Sequence, residues 1–157
     1  MALDKDQIKD TYPLPVYNYR VTVGGTTLGF SEVSGLSINH EPVTYKHGMS
    51  FVLGTKIIPG MPQQIRVTLK RGATKATVGS FLVDWFQKTY ADPFSTSKED
   101  IQIDLCDGSG NAVVRWIVRG ALPVKLDAPT FDATSNEAAV ETLELVAHSI
   151  SVDYNPS

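Results

Sequence analysis

Apolar and polar residues alternate with a period of two along most of the chain. Tyr17, Tyr19, Val21 and Val23 alternate with Asn18, Arg20 and Thr22, and Gly24-Gly25 follows as a turn signal. Ile65, Val67 and Leu69 alternate with Arg66, Thr68 and Lys70, and Ile101, Ile103 and Leu105 with Gln102, Asp104 and Cys106. "DGSGN", Asp107 to Asn111, predicts a tight turn, after which Val114, Trp116 and Val118 alternate with Arg115 and Arg119. Such two-sided strands predict an antiparallel sheet with one face on a core and the other in water. One segment differs. In "TVGSFLVDWFQKTYADP", Val78, Phe81, Leu82, Trp85, Phe86 and Tyr90 fall at helical spacing, with Thr77 or a nearby residue as cap and Pro93 limiting extension. This helix, with Phe81, Leu82, Trp85 and Phe86 as its core residues, is expected to cover the open end or one face of the sheet.

Two stretches change parity. In "VSGLSINHEPVTYKHGMSFVLGTKIIPG", Val33 to Gly60, Leu36 and Ile38 share one side, but past His40 and Pro42 the apolar Val43 and Tyr45 take the other. Met49, Phe51, Val52, Leu53, Ile57 and Ile58 then precede Pro59-Gly60. A change of parity means a bulge, a bend or a new burying partner. Leu36 and Ile38 are expected to bury against their own domain, and the far half, from Val43 onward, against another copy of the chain, with the switch near Pro42. Near the C-terminus, Leu143 and Leu145 lie on one parity and Ile150, Val152 and Tyr154 on the other, in a predicted strand about twice the usual length. An apolar hairpin of this size marks a protein interface, and long strand edges need a defined partner to avoid aggregation.

Composition narrows the classes. A chain of 157 residues, 42% hydrophobic and 20% charged, fits one domain with its own core. Its net charge is −3 and its basic residues are scattered, which argues against a dedicated nucleic-acid or membrane binder. The lone Cys106 precludes an intrachain disulfide and suits folding in a reducing cytoplasm. The polar start, "MALDKDQIKDTYPLP", lacks a signal-peptide core, and no run approaches the roughly 20 apolar residues of a membrane span. The expectation is a protein soluble when made, with any export bypassing the general secretory route.

Catalysis finds little support. Cys106 sits at a strand end beside a Gly-rich turn, with acidic Asp104 and Asp107 as neighbours, and reads better as an unreactive strand cysteine than as the partner of His40, His47 or His148. No ligand spacing of the CxxC or HExxH kind occurs, "DGSGN" is too poor in carboxylates for a calcium loop, and "GSG" matches no phosphate-binding pattern. Glu141 and Glu144, read on a strand, point to opposite sides, and Trp85-Phe86 reads as core rather than as a binding cage. The reading is therefore a non-enzyme with no cofactor, no metal and no catalytic residues.

Several segments in order resemble a known family: "FSEVSGLSINHEPVTYKHG", Pro59-Gly60, "VTLKRG" at Val67 to Gly72, "FLVDWF", "IQIDLCDGSGNAVVRW" and "FDATSNEAAVETLEL". The chain resembles the tube proteins of contractile phage tails, and more closely the inner-tube proteins of extracellular contractile injection systems of the antifeeding-prophage and virulence-cassette type. The resemblance implies a mainly β fold, a barrel or sandwich of antiparallel strands with one flanking helix, related to the haemolysin-coregulated tube protein. It implies one tube-protein domain over 1–157, with an N-terminal arm (1–15) and an extended assembly hairpin (40–61). It further implies hexameric rings of the chain itself, stacked into a hollow tube inside a contractile sheath. Baseplate, spike and tube-terminating proteins are the other partners, with an effector protein, or DNA in a phage, in the lumen of a released particle. Val43, Tyr45, Lys46, His47, Met49, Phe51, Leu53, Ile57 and Pro59 are then the expected subunit interface. The alternatives are a tail tube protein of a contractile-tailed phage and, from another class, a β-sandwich carbohydrate- or ligand-binding module.

Overall fold

The computed structural model describes residues 4, 11–49, 54–73, 81–94 and 98–156, the side chain of Phe81 excepted. Among the described residues, ten strands and one helix follow in order: β1 (Tyr19–Val23), β2 (Thr26–Leu28), β3 (Glu32–Ser34), β4 (His40–Tyr45), β5 (Lys56–Pro62), β6 (Ile65–Gly72), α1 (Phe81–Ala91), β7 (Glu99–Cys106), β8 (Ala112–Asp127), β9 (Val140–Ala147) and β10 (Ser149–Asp153). The fold is mainly β, as the alternation predicts. Gly24 and Gly25, both at positive φ, close the two-residue β1–β2 hairpin, a backbone that glycine adopts without steric cost.

Eight strands form one antiparallel sheet in the order β2-β1-β7-β8-β9-β6-β3, with β10 also paired to β8. The 16-residue β8 organises it. Its first half runs between β7 and β10, and its second half pairs with β9. Gly120 marks the join, with φ 64° and a position where a Cβ would stand 3.2 Å from that of His148. Val21, Val23, Ile101, Ile103 and Val118 from one half meet Ile65, Val67, Leu69, Leu143 and Leu145 from the other in one buried cluster.

The helix forms where the apolar spacing places it. Leu82 and Trp85 are buried in the cluster, Phe86 packs against it, and the Thr89 hydroxyl donates to the Trp85 carbonyl at 2.8 Å. Tyr90 departs from the expected stripe and is 84% exposed. Eight residues beyond Leu82, it has rotated about 80° off the face that Leu82, Trp85, Phe86 and Thr89 share. The proposed cap Thr77, Val78 and the Phe81 side chain lie outside the described residues.

Both parity switches have structural causes, but neither is one long strand. The first strand ends at Ser34, because Gly35 takes φ 85° with its Cα so close to the Arg66 carbonyl that a Cβ would overlap it. Leu36 packs against the core, whereas Ile38, expected to be buried with it, is exposed. The second is two strands, β9 and β10, separated at His148, which lets Ile150 enter the core from its own parity.

Candidate assembly interface

β4 and β5 form a two-stranded sheet of their own, apart from the eight-stranded one. Val43 pairs with Ile58, Thr44 with Ile57 and Tyr45 with Lys56, and the register slips between His40 and Pro42. A slip of this kind is one of the three causes that the parity change near Pro42 left open. Gly60 lies across from it, where any Cβ would collide with the Glu41 carbonyl oxygen, so glycine is required at that close approach. Gln63 donates its N–H to the Asn39 carbonyl at 2.8 Å, closing the base of the ribbon.

Every residue of β4 is exposed, as is nearly all of β5. Val43, Tyr45, Lys46, Met49, Ile57 and Pro59 all lie on this exposed ribbon or its turn, and His47 beside them is half-buried. The His47 Nδ1 accepts a hydrogen bond from the Met49 N–H at 3.1 Å, and its ring stands 6.0 Å from that of Tyr45. Phe51 and Leu53 lie outside the described residues. Ile58 and Met61, which lie on the same hairpin but not among the expected interface residues, are 50% and 84% exposed. The available signal was that a ribbon buried on neither face exposes both parities of its apolar residues.

The wet faces of the main sheet carry paired charges. Asp104 is only 2% exposed although it lies on such a face, because two arginines close over it. Arg115 Nε donates to its Oδ1 at 2.7 Å, and Arg20 donates to its Oδ2 at 3.1 Å. Burial pushes the Asp104 carboxyl up, but the hydrogen bonds from Arg115 and then Arg20 outweigh it and hold the group below the usual carboxylate range. The same contact raises Arg115. On the other half, Arg66 meets Glu144 at 2.6 Å and Lys70 meets Glu32 at 3.3 Å. Arg71, itself buried, meets Glu141 at 3.1 Å, so Glu141 and Glu144 do serve opposite faces.

An open apolar groove of about 640 Å³ runs beside the start of β1, lined by Val16, Tyr17, Tyr19, Phe30, Leu36, Leu105 and Trp116 among others. The Tyr19 hydroxyl donates to the Phe30 carbonyl at 2.5 Å, and burial, helped by Glu32, raises its pKa. Cys106 is buried at the end of β7, its thiol directed at the Asp104 carbonyl at 3.7 Å. In the "DGSGN" turn, the Asp107 carboxylate accepts the N–H groups of Ser109 and Asn111 at 2.9 and 3.0 Å, a hairpin lock. Among the described residues no three His, Cys, Asp or Glu side chains cluster as a metal site, and no helix is long and apolar enough to cross a membrane.

The described residues thus hold an exposed two-stranded ribbon and an apolar groove beside β1. The family model for the T4-like virus tail tube protein gp19 matches residues 15–151. The chain belongs to the tail tube protein family. Comparison with curated proteins finds no match. Among solved structures, this tail tube protein is similar to a chain of the sheath–tube complex of an extracellular contractile injection system, PVC, in its extended state. The two are 32% identical, with 98% of this chain and 99% of that one covered and a TM-score of 0.86. A chain of the anti-feeding prophage cap, the tube-terminating cap, is also 32% identical, over 92% of this chain and 93% of that one, with a TM-score of 0.84. Hcp1 from Flavobacterium johnsoniae, 18% identical with 88% of this chain and 97% of that one covered, shares the fold at a TM-score of 0.59.

Proposed function

We propose that this tail tube protein is the inner-tube subunit of an extracellular contractile injection system, and that it works by assembly alone. Six copies close into a ring and rings stack into a hollow tube. The sheath surrounds it, the baseplate and spike lie at one end and the terminating cap at the other. Contraction drives the rigid tube through a target membrane, and an effector protein travels in the lumen. The particle is built in the cytoplasm and then released. The injection system is favoured over a phage tail by the 32% identity to chains of the PVC and anti-feeding prophage particles.

The observation that carries this reading is the β4–β5 hairpin, which exposes Val43, Tyr45, Met49, Ile57, Ile58 and Met61 and, among the described residues, shares no strand pairing with the main sheet. Leaving such a set in water is unfavourable by about 25 cal/mol per Å² of apolar surface, and a neighbouring copy recovers that energy. Stacking is heterologous, one surface meeting a different surface on the next copy, which suits an open filament.

Negative-stain microscopy of the purified protein tests this, with rings or stacked tubes as the expected result. The variant carrying both Tyr45→Glu and Ile57→Glu should keep the subunit's melting temperature and lose those assemblies. A wild-type protein that stays monomeric at high concentration overturns the proposal, and normal tubes from the double variant remove the ribbon from the interface.

A further inference from the structure

The chain has three methionines, and the two among the described residues, Met49 and Met61, both belong to the β4–β5 hairpin. Met61 lies in β5 beside Pro62, which pairs with His40 at the base of the ribbon. Met49 lies past Tyr45, which pairs with Lys56 at the other end. One thioether therefore stands near each end of the ribbon. Met61 is 84% exposed and Met49 53%. The strands of the main sheet and α1 contain no methionine, and Cys106, the chain's one thiol, is buried.

The residues between the two sulfurs do a different job. Val43, Tyr45, Ile57 and Ile58 are β-branched or aromatic and suit the extended backbone of the paired strands. Methionine is unbranched and adaptable, and fills irregular gaps where a surface meets a partner. On the assembly reading, the two ends of the ribbon fit the next copy through thioethers. A thioether is also an apolar group that a mild oxidant turns polar, and a reductase can turn it back.

We propose that Met49 and Met61 form an oxidation-sensitive site of the free subunit, through which a hydroperoxide blocks assembly reversibly. The thioether sulfur attacks one oxygen of the peroxide. An S–O bond forms as the O–O bond breaks, and the proton of the transferred hydroxyl passes to the departing oxygen. The sulfur is oxidised by two electrons to a sulfoxide, and hydrogen peroxide is reduced to water. The sulfoxide oxygen is a polar acceptor, so pressing it against an apolar neighbour costs its hydration. Met61, the more exposed, reacts first. Met49 follows, its backbone N–H held by the His47 Nδ1 at 3.1 Å. In stacked rings both sulfurs are covered, so the site governs the supply of competent subunits rather than the finished tube. This inference rests on the assembly reading and adds a control over it.

The purified subunit is treated with hydrogen peroxide, the excess is removed with catalase, and peptide mass mapping is set beside negative-stain counts of tubes. Met61 should gain its oxygen before Met49, with Cys106 unmodified and the melting temperature unchanged. The tube fraction should fall about tenfold or more, since two polar oxygens then stand in an apolar contact. Methionine sulfoxide reductases acting on both epimers should restore the tubes. The variant carrying Met49→Leu and Met61→Leu, nearly equal in volume, should form tubes that the same treatment leaves intact. Subunits shown to carry both sulfoxides that still form tubes as untreated protein does overturn the proposal, as does a loss that persists in the double variant. If that variant does not assemble, a loss that survives reduction of both sulfoxides overturns it instead. Untreated wild-type protein that never assembles overturns the assembly reading itself, a result distinguishable from these.

Discussion

Asp104 shows how much one side chain can organise on a solvent-facing sheet surface. Its carboxylate is nearly inaccessible yet ionised below the normal range: burial pushes it up, and the hydrogen bonds and charges of Arg115 and Arg20 together pull it down by more. Removing it leaves two arginines side by side with nothing between them, so Asp104→Ala should cost about 2–3 kcal/mol of unfolding free energy, below the figure for a fully buried pair because both arginines keep some water. The folded carboxyl titrates below its unfolded value of about 3.9. Its contribution is therefore complete above that pH and is lost as pH falls through the lower folded value. Melting temperature followed from pH 6 downward should drop in the wild type below about pH 4, and Asp104→Asn should lack that component. Glycine offers a second comparison at this scale. Gly25 and Gly35 have the same φ of 85°, but only Gly35 has a backbone oxygen where a Cβ would go. Gly25→Ala should cost about 1 kcal/mol for the left-handed backbone, and Gly35→Ala clearly more, since β3 and β6 must also move apart. Equal losses in denaturant titrations would mean that the loop after β3 relaxes freely.

Among the elements, α1 is the one whose sequence pattern and role agree most directly. A stripe of Leu82, Trp85 and Phe86 needs a core to cover, and the cluster of Val67, Leu69 and Leu143 provides it. Trp85→Ala opens a cavity there and should destabilise the subunit by about 3–5 kcal/mol in chemical denaturation; an unchanged midpoint would show that the helix is not anchored through this ring. The strands were legible to the extent that each buries one face, as β6 and β7 do. The length of β8 was not, because its two halves serve different neighbours and its burial is mixed, so alternation fades from Leu122 onward. Parity changes were visible but not their causes. The first arises from a glycine pressed against Arg66 and a bulge at His40–Pro42, the second from a break at His148, and all three are facts of cross-strand partnership that a single sequence does not contain. Ile38 illustrates the error this produces: alternation placed it with Leu36, but the chain had already left the sheet. The apolar excess of the hairpin is visible in the sequence, whereas the row of Arg20, Asp104, Arg115 and Asp153 emerges only once the register of four strands is known.

For the whole molecule, the proposed interface makes the division between the eight-stranded sheet and the β4–β5 ribbon a boundary between folding and assembly. The sheet carries the buried cluster of side chains. An isolated two-stranded ribbon is marginal in water, since it lacks a third strand or a helix to pack against. In the free subunit the ribbon should therefore open locally at little cost, while the sheet opens only with global unfolding. Hydrogen exchange read peptide by peptide separates the two. In the monomer, amides of Val43 to Tyr45 and Lys56 to Ile58 should exchange rapidly, and those of Val67 to Leu69 and Leu143 to Leu145 should persist. Once tubes form, packing against the next copy supplies the missing face, and exchange in the ribbon should slow by about tenfold or more while the core amides change little. If ribbon amides in assembled wild-type tubes exchange as fast as in the monomer, the ribbon has no partner, and its apolar surface requires a different explanation from the one its sequence and geometry support.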